Sequence, residues 1–166
     1  MTPAGHASIS VILGHKLNRK YLFALLAGSL VPDIDFILLP FPFFNSIHRY
    51  ITHSLFFIVL SGVVLFLVIR NADYRWFLLY IAGGILHLFV DSVLDANPSN
   101  GVGVPFLWPF SNTFYSPFNL LKNFNTPYTW EQPGRFLLSL WKTYVIEIPL
   151  IIFALLIYLR RYKHAT

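Results

Sequence analysis

Histidine and aspartate side chains stand inside or beside strongly apolar segments of this 166-residue chain. Ionisable groups are costly to place in hydrocarbon, and where they occur there they usually mark a functional site. The chain has no cysteine, and imidazole with carboxylate suits a hard or borderline divalent cation. We therefore predict a metal site built from seven residues, namely His6, Asp33, Asp35, His48, His53, His87 and Asp91.

Seven ligands are more than one ion needs, since a tetrahedral zinc site takes about four. Two ions sharing a carboxylate would use the whole set, with zinc expected first and manganese, iron or magnesium as alternatives. Paired ions suit phosphoryl displacement, because they bind both the attacking and the leaving oxygen and activate water. In such a hydrolase we expect Asp35 or Asp91 to orient or deprotonate the water, and Arg49 to bind the phosphate.

The spacing of these residues shows which side chains share a face. His87 and Asp91 are four positions apart, so both project from one side of a helix. Asp33 and Asp35 would point the same way in an extended segment. Structural interpretations also exist, because His–Asp pairs stabilise helices, Pro-Asp is common in turns, and Arg49 could extend to lipid headgroups.

The stretch "HRYITHS", residues 48–54, precedes a long apolar run. His48 and His53 would lie about 140° apart on an ideal helix, so one helical face cannot present both. We place His48 in the loop before the helix and Thr52 at the N-cap, which would put His53 in the first turn.

The composition predicts an integral membrane protein. Hydrophobic residues make up 56% of the chain and charged residues 11%, whereas soluble domains carry about 25% charged residues. The net charge of +5 does not indicate a nucleic-acid partner, because the basic residues cluster at the ends of apolar segments. The N-terminus lacks the pattern of a cleaved signal peptide.

The apolar segments predict an all-α membrane bundle of four to five helices, forming a single domain over residues 1–166. The predicted helices cover 4–17, 21–31, 54–70, 76–94 and 144–159. Prolines break residues 32–46. The aromatic segment 96–135 is expected as a long outer loop that covers the entrance to the site. Lys142 and Glu147, near the outer end of the last helix, are expected to pair with each other, and the alternative for Glu147 is a carboxylate that supports the metal ligands.

Charge orients this bundle. Eight of the twelve basic residues fall in the 16–20 segment, the 70–75 turn and the C-terminal tail, and the positive-inside rule makes that side of the inner membrane cytoplasmic. At about 1.5 Å per residue, five candidates from four segments then reach one layer in the outer half of the membrane. They are His6, Asp33, His53, His87 and Asp91. A shared depth favours a shared site.

Five motifs follow one another in order: "GH" at 5–6, "LVPDID" at 30–35, "HRYITHS" at 48–54, "HLFVDSVLD" at 87–95 and "GVGVPFLWPF" at 101–110. Together they resemble the YdjM-type family of inner-membrane-associated metal-dependent hydrolases. The resemblance implies that the seven residues are metal ligands, supported by Arg49, Thr52 and Ser54. Tyr50 and Asp95 replace a usual Gly and Thr without touching a ligand, whereas the longer turn 96–103 predicts a different substrate rim.

A lipid or lipid-linked phosphoester is the expected substrate, because the site would open within the depth of the membrane. A metal-ion carrier is one alternative, although such proteins often have repeated halves and this sequence shows no repeat. A non-enzymatic membrane scaffold is another. The family label also carries a link to the LexA repressor, but nothing in the cytoplasmic turns predicts that contact.

Overall fold

The structure of the protein is a computed structural model that describes residues 1–41, 43–94, 103–118, 120, 134, 138 and 141–163. Its α-helices are α1 (Pro3–Gly14), α2 (Arg19–Leu30), α3 (Phe44–Ile47), α4 (Leu55–Val68), α5 (Tyr74–Leu94) and α6 (Trp141–Lys163), and a 3-10 helix covers Val31–Leu38. The described residues form no β-strand beyond one isolated bridge between Val104 and Tyr115. The predicted all-α class is confirmed, with most helix ends within about three residues of those predicted.

Within the described residues, three helical spans are long and apolar enough to cross a membrane, namely Arg19–Leu38, Tyr74–Leu94 and Thr143–Arg161. Helix α4 is apolar but shorter. Large apolar side chains on α4 and α6 remain exposed, such as Leu67 at 77% and Phe153 at 53%. Wide apolar surfaces of this kind suit lipid rather than water. The predicted membrane helical bundle is therefore confirmed.

Helices α2 and α5 pack against each other through glycines. A Cβ atom on Gly28 would lie 1.9 Å from the carbonyl oxygen of Tyr80, and one on Gly83 would lie 2.2 Å from that of Leu25. Small residues allow membrane helices to approach this closely. Helix α1 packs on α2 and α6, and α4 packs on α5, so α2 and α5 form the centre of the bundle.

Residues 31–38 form a 3-10 helix, so the prediction of broken or extended structure there is wrong. Pro32 lies in its first turn, where a missing N–H costs little. Successive side chains in a 3-10 helix are rotated by about 120°, so Asp33 and Asp35 do not point the same way as predicted. Asp33 faces α5, and Asp35 faces residues 48–52.

The start of α4 also differs from the prediction. Ser54 is its N-cap and accepts a hydrogen bond from the backbone N–H of Phe57 (3.1 Å). The prediction that Thr52 caps this helix is wrong, because the Thr52 hydroxyl donates to Asp35 instead (3.0 Å). His53 therefore lies before α4 rather than in its first turn.

One end of the bundle, here called the basic end, joins the 16–20 segment, the 70–75 turn and the end of α6. Lys20 Nζ lies 2.7 Å from Asp73 Oδ2. The Arg161 guanidinium donates to the carbonyls of His15 (2.6 Å) and Leu17. The segments that the charge pattern places on one side of the membrane therefore meet at one end of the molecule.

The opposite end is crossed by residues 103–118, here called the WPF segment. The Leu55 N–H at the start of α4 donates to the Phe106 carbonyl (3.1 Å), and Ser116 Oγ donates to the Ser92 carbonyl on α5 (2.8 Å). Part of the predicted outer loop is thus held across the ends of two helices. The remainder of residues 96–135, apart from Leu120 and Gly134, lies outside the described residues, as does Asp95.

Candidate metal centre

Five buried side chains converge at the end of the bundle that the WPF segment crosses. They are His6 on α1, Asp33 on the 3-10 helix, His53 before α4, and His87 and Asp91 on α5, and none is more than 8% exposed. They form two overlapping groups in which potential ligand atoms all lie within 4.8 Å of one another: His6, His87 and Asp91, and Asp33, His53 and His87. We call these five residues the cluster.

His87 belongs to both groups. Its Nε2 atom lies 3.2 Å from His53 Nε2, 3.4 Å from Asp91 Oδ2 and 3.7 Å from Asp33 Oδ1. His53 Nε2 lies at the same 3.4 and 3.7 Å from those two oxygens. Two nitrogens and two oxygens therefore face a common point.

Hydrogen bonds on the outer side of each ring assign its tautomer. His87 Nδ1 donates to the Ser29 carbonyl (2.7 Å). His53 Nδ1 donates to Thr52 Oγ1 (3.0 Å), whose own proton goes to Asp35. In the neutral rings both Nε2 atoms then carry lone pairs. Lone pairs 3.2 Å apart repel each other, so the arrangement favours a cation between them.

Asp91 presents one oxygen to His6 and the other to His53 and His87. Its Oδ1 lies 3.1 Å from His6 Nε2 and accepts from the Met1 amino group (2.6 Å), while Oδ2 faces His53 and His87. The His6 ring stacks on His87 with 3.7 Å between centroids. A carboxylate with one oxygen towards each set of imidazoles has the arrangement of a bridging ligand.

Two buried carboxylate oxygens accept no hydrogen bond within the described part of the chain, Asp33 Oδ2 and Asp35 Oδ1. An unpaired buried carboxylate is unfavourable, and burial is tolerated when a metal ion or another partner binds the charge. Asp33 lies in the cluster, so this carboxylate could bind a cation there.

Asp35 and His48 lie next to the cluster but in neither group of ligand atoms. Asp35 Oδ2 accepts from His48 Nδ1 (2.9 Å), the Arg49 backbone N–H (3.1 Å) and Thr52 (3.0 Å). This carboxylate therefore organises the loop that carries His53. Five of the seven predicted ligands therefore lie in the cluster, and the other two, Asp35 and His48, lie next to it.

Arg49 is held in an unusual conformation in this loop. Its φ angle of 73° is in the left-handed region, which is uncommon for a residue other than glycine. Arg49 is 7% exposed, and its backbone N–H donates to Asp35. A buried guanidinium therefore accompanies the cluster.

Glu147 on α6 makes a contact that the sequence does not predict. Its two carboxylate oxygens accept from the backbone N–H (2.7 Å) and the hydroxyl (2.6 Å) of Thr2, the N-cap of α1. The predicted partner, Lys142, has no described side chain. Glu147 thereby links α6 to the helix that carries His6. No local sequence signal points to a contact between residues 145 positions apart.

Comparisons with known proteins agree with this membrane architecture. The family model described as "YdjM inner membrane protein" matches residues 1–165. The chain is similar to the inner membrane protein YbcI of Escherichia coli strain K12, with 30% identity over a region covering 74% of this chain and 80% of that protein. No solved structure matches.

Proposed function

This chain belongs to the YdjM inner membrane protein family, and from that premise we propose that it is a metal-dependent hydrolase acting on a lipid or lipid-linked phosphoester. One observation carries the proposal, namely that five buried histidine and aspartate side chains form two overlapping groups of potential ligand atoms, with the Nε2 atoms of His53 and His87 only 3.2 Å apart. A divalent ion there would act as a Lewis acid and activate water near neutral pH.

The residues of the cluster have distinct roles in this proposal. His53, His87 and Asp33 would hold one ion, and Asp91 lies between them and His6. Asp91 would be the shared ligand if a second ion binds. The identity of the metal as zinc and the binding of two ions stay predictions from the residue types.

Asp35 and Arg49, which lie next to the cluster, would act on the substrate. Asp35 is the better placed proton acceptor, because its Oδ1 accepts no hydrogen bond from the described residues, whereas both oxygens of Asp91 face histidines. Arg49 would bind the phosphate, since a guanidinium matches two phosphate oxygens at once.

An apolar cavity at the end of the bundle that holds the cluster supports a lipid substrate. It has a volume of about 310 Å³ and lies between the first turns of α4 and the WPF segment. Leu55, Val59 and Trp108 are among its lining residues. Leu55 is two positions from His53, so an acyl or isoprenoid chain in this cavity would bring its headgroup towards the metal centre.

Elemental analysis of purified protein tests the metal centre. We expect one or two equivalents of a divalent metal in the wild type and clearly less in His53→Ala. His15→Ala is the matched control, because His15 is exposed at the end of α1 and should keep the full metal content. Asp33→Asn serves as a second cluster variant if His53→Ala does not fold.

Wild-type protein that binds none of zinc, manganese, iron or magnesium after reconstitution would overturn the metal centre. Hydrolysis is tested separately, by incubating metal-loaded protein with phosphatidic acid, phosphatidylglycerol and isoprenoid phosphates. Released phosphate that disappears with a chelator and in His53→Ala, but not in His15→Ala, would support the hydrolase. Metal transfer across vesicles without hydrolysis would instead favour a carrier.

A further inference from the structure

A second cavity lies towards the basic end, between α2 and α6. Its volume is about 320 Å³, and its lining residues are Arg19, Leu22, Phe23, Leu26 and Tyr158. The four residues on α2 recur at spacings of three and four, so they form one face of that helix. The cavity therefore combines a guanidinium and a phenol hydroxyl with an apolar wall.

The position of this cavity matches the depth of a lipid molecule. Arg19 is the first residue of the candidate span Arg19–Leu38, and Tyr158 lies near the end of the span Thr143–Arg161. From Arg19 to Leu26 the wall extends about 10 Å along the helix axis. Its charged mouth thus lies at the level of the headgroups, and its apolar part lies within the hydrocarbon.

The charge around the mouth is positive. Lys16 and Arg160 are exposed, and both belong to the basic end that carries Arg19. Asp73 is the acidic residue of this end among the described residues, and Lys20 already binds its carboxylate (2.7 Å). An anion at the mouth would therefore meet several cations and no uncompensated carboxylate of the described chain.

We propose that this cavity binds one anionic phospholipid, with its phosphate at Arg19 and Tyr158 and an acyl chain along Leu22 and Leu26. Basic cavities between membrane helices at this depth bind anionic headgroups, and arginine binds phosphate through two parallel hydrogen bonds. A zwitterionic lipid gains less from the positive mouth, and free phosphate gains nothing from the apolar wall. The site is separate from the metal centre, which lies at the other end of the bundle.

Native mass spectrometry of the full-length protein in detergent tests the proposal, with phosphatidylglycerol, phosphatidylcholine of the same chains, and inorganic phosphate as probes. We expect one phosphatidylglycerol to bind in preference to phosphatidylcholine, unaffected by phosphate. Arg19→Gln should weaken that binding on the order of tenfold or more, because a hydrogen bond to a charged group is lost. Leu26→Trp, which fills the cavity, should weaken it as well.

Arg70→Gln is the matched control, because it removes the same charge from an exposed position of the basic end outside the cavity. Equal loss of binding in Arg19→Gln and Arg70→Gln would overturn the site and leave only general charge attraction. Equal binding of both lipids, or displacement by phosphate, would overturn it too. The metal content of the same samples should not change, which separates this test from that of the metal centre.

Discussion

The inner nitrogens of His53 and His87 owe their lone pairs to groups on the outer side of each ring. For His87 that group is the Ser29 carbonyl, and for His53 it is the Thr52 hydroxyl, which in turn donates to Asp35. Outer partners of this kind orient a ligand imidazole and raise its basicity. Asp35 therefore influences the cluster through Thr52 without entering it.

Replacing Thr52 by Val should weaken the metal centre without removing a ligand. Valine has nearly the same shape but can neither accept a hydrogen bond from His53 Nδ1 nor donate one to Asp35. The imidazole therefore loses the contact that fixes its tautomer. We expect metal affinity to fall on the order of 10–100-fold. Competition with a zinc chelator at fixed pH measures this change.

Thr52→Ser keeps the hydroxyl and should stay close to the wild type in the same titration. If Val and Ser at this position bind metal equally well, the hydrogen-bonded chain from Asp35 to His53 has no influence on the site.

Residue types and spacing predicted which side chains share a helix, but not which of the seven candidates lie outside the cluster. His87 and Asp91 share a helix, so a spacing of four suffices to place them together. Asp35 and His48 could not be separated from the ligands, because their placement depends on a 3-10 helix and on a loop with a left-handed residue. Glu147 had no signal at all, since its partner is at the other end of the sequence.

At the scale of helices, the contact between α2 and α5 holds the cluster in register. Gly28→Ala should destabilise the protein by about 1–3 kcal/mol, as overpacking of a tight contact does. The added methyl would lie 1.9 Å from a backbone oxygen of Tyr80, which no side-chain rotation can relieve. Thermal unfolding in detergent measures the loss.

Gly134→Ala is the control for that substitution, because no atom of the described residues lies within 4 Å of a Cβ atom there. A Gly28→Ala protein that unfolds at the wild-type temperature would show that α2 and α5 are farther apart than described.

Asp73 joins two helices at the basic end and predicts a pH dependence. The hydrogen bond from Lys20, followed by that from the Trp76 backbone N–H, lowers the pKa of this carboxyl to about 2 from its ordinary value of 3.8. A depressed folded-state pKa means that the stabilisation is present above about pH 4 and is lost as the pH falls towards 2. The difference in unfolding temperature between wild type and Asp73→Asn should therefore shrink from pH 7 to pH 3.

Lys20→Gln should abolish most of that pH dependence, since it removes the main cause of the lowered pKa. A difference between wild type and Asp73→Asn that stays constant down to pH 2 would contradict the assignment.

Apolar runs predicted these helices because length and hydropathy alone decide which segments can cross a bilayer. Their junctions were harder. The proline-rich stretch after α2 reads as broken structure, yet Pro32 is compatible with the first turn of a 3-10 helix. The cap of α4 was misplaced by two residues, because Thr52 and Ser54 are equally good caps until the partner of each hydroxyl is known.

At the scale of the whole molecule, the basic end and the cluster lie at opposite ends of α5. His87 is about 20 Å along the helix from Tyr74. The positive-inside rule then predicts that the basic end is cytoplasmic and that the cluster lies in the outer half of the membrane.

The chain contains no cysteine, so single cysteines test this orientation without background. Asn112→Cys in the WPF segment should react with a membrane-impermeant maleimide in intact cells, whereas Asn71→Cys at the basic end should react only after lysis. Both positions are exposed asparagines. The reverse pattern would place the cluster on the cytoplasmic side.

The convergence of four segments on one site was predictable from depth, since each helix fixes the height of its residues above a charged turn. Which helices contact each other was not predictable, because the hydrophobic pattern of a membrane helix does not show which face contacts protein and which contacts lipid. The glycines of α2 and α5 settle that question only once both backbones are in place.

Pro32 affects the metal centre because it has no backbone N–H. In a 3-10 helix the carbonyl of Ser29 would accept from the N–H of residue 32, and proline has none. That carbonyl accepts from His87 Nδ1 on a neighbouring helix. Because Pro32 has no N–H, it cannot donate to the Ser29 carbonyl, and this carbonyl fixes the proton of His87 on Nδ1.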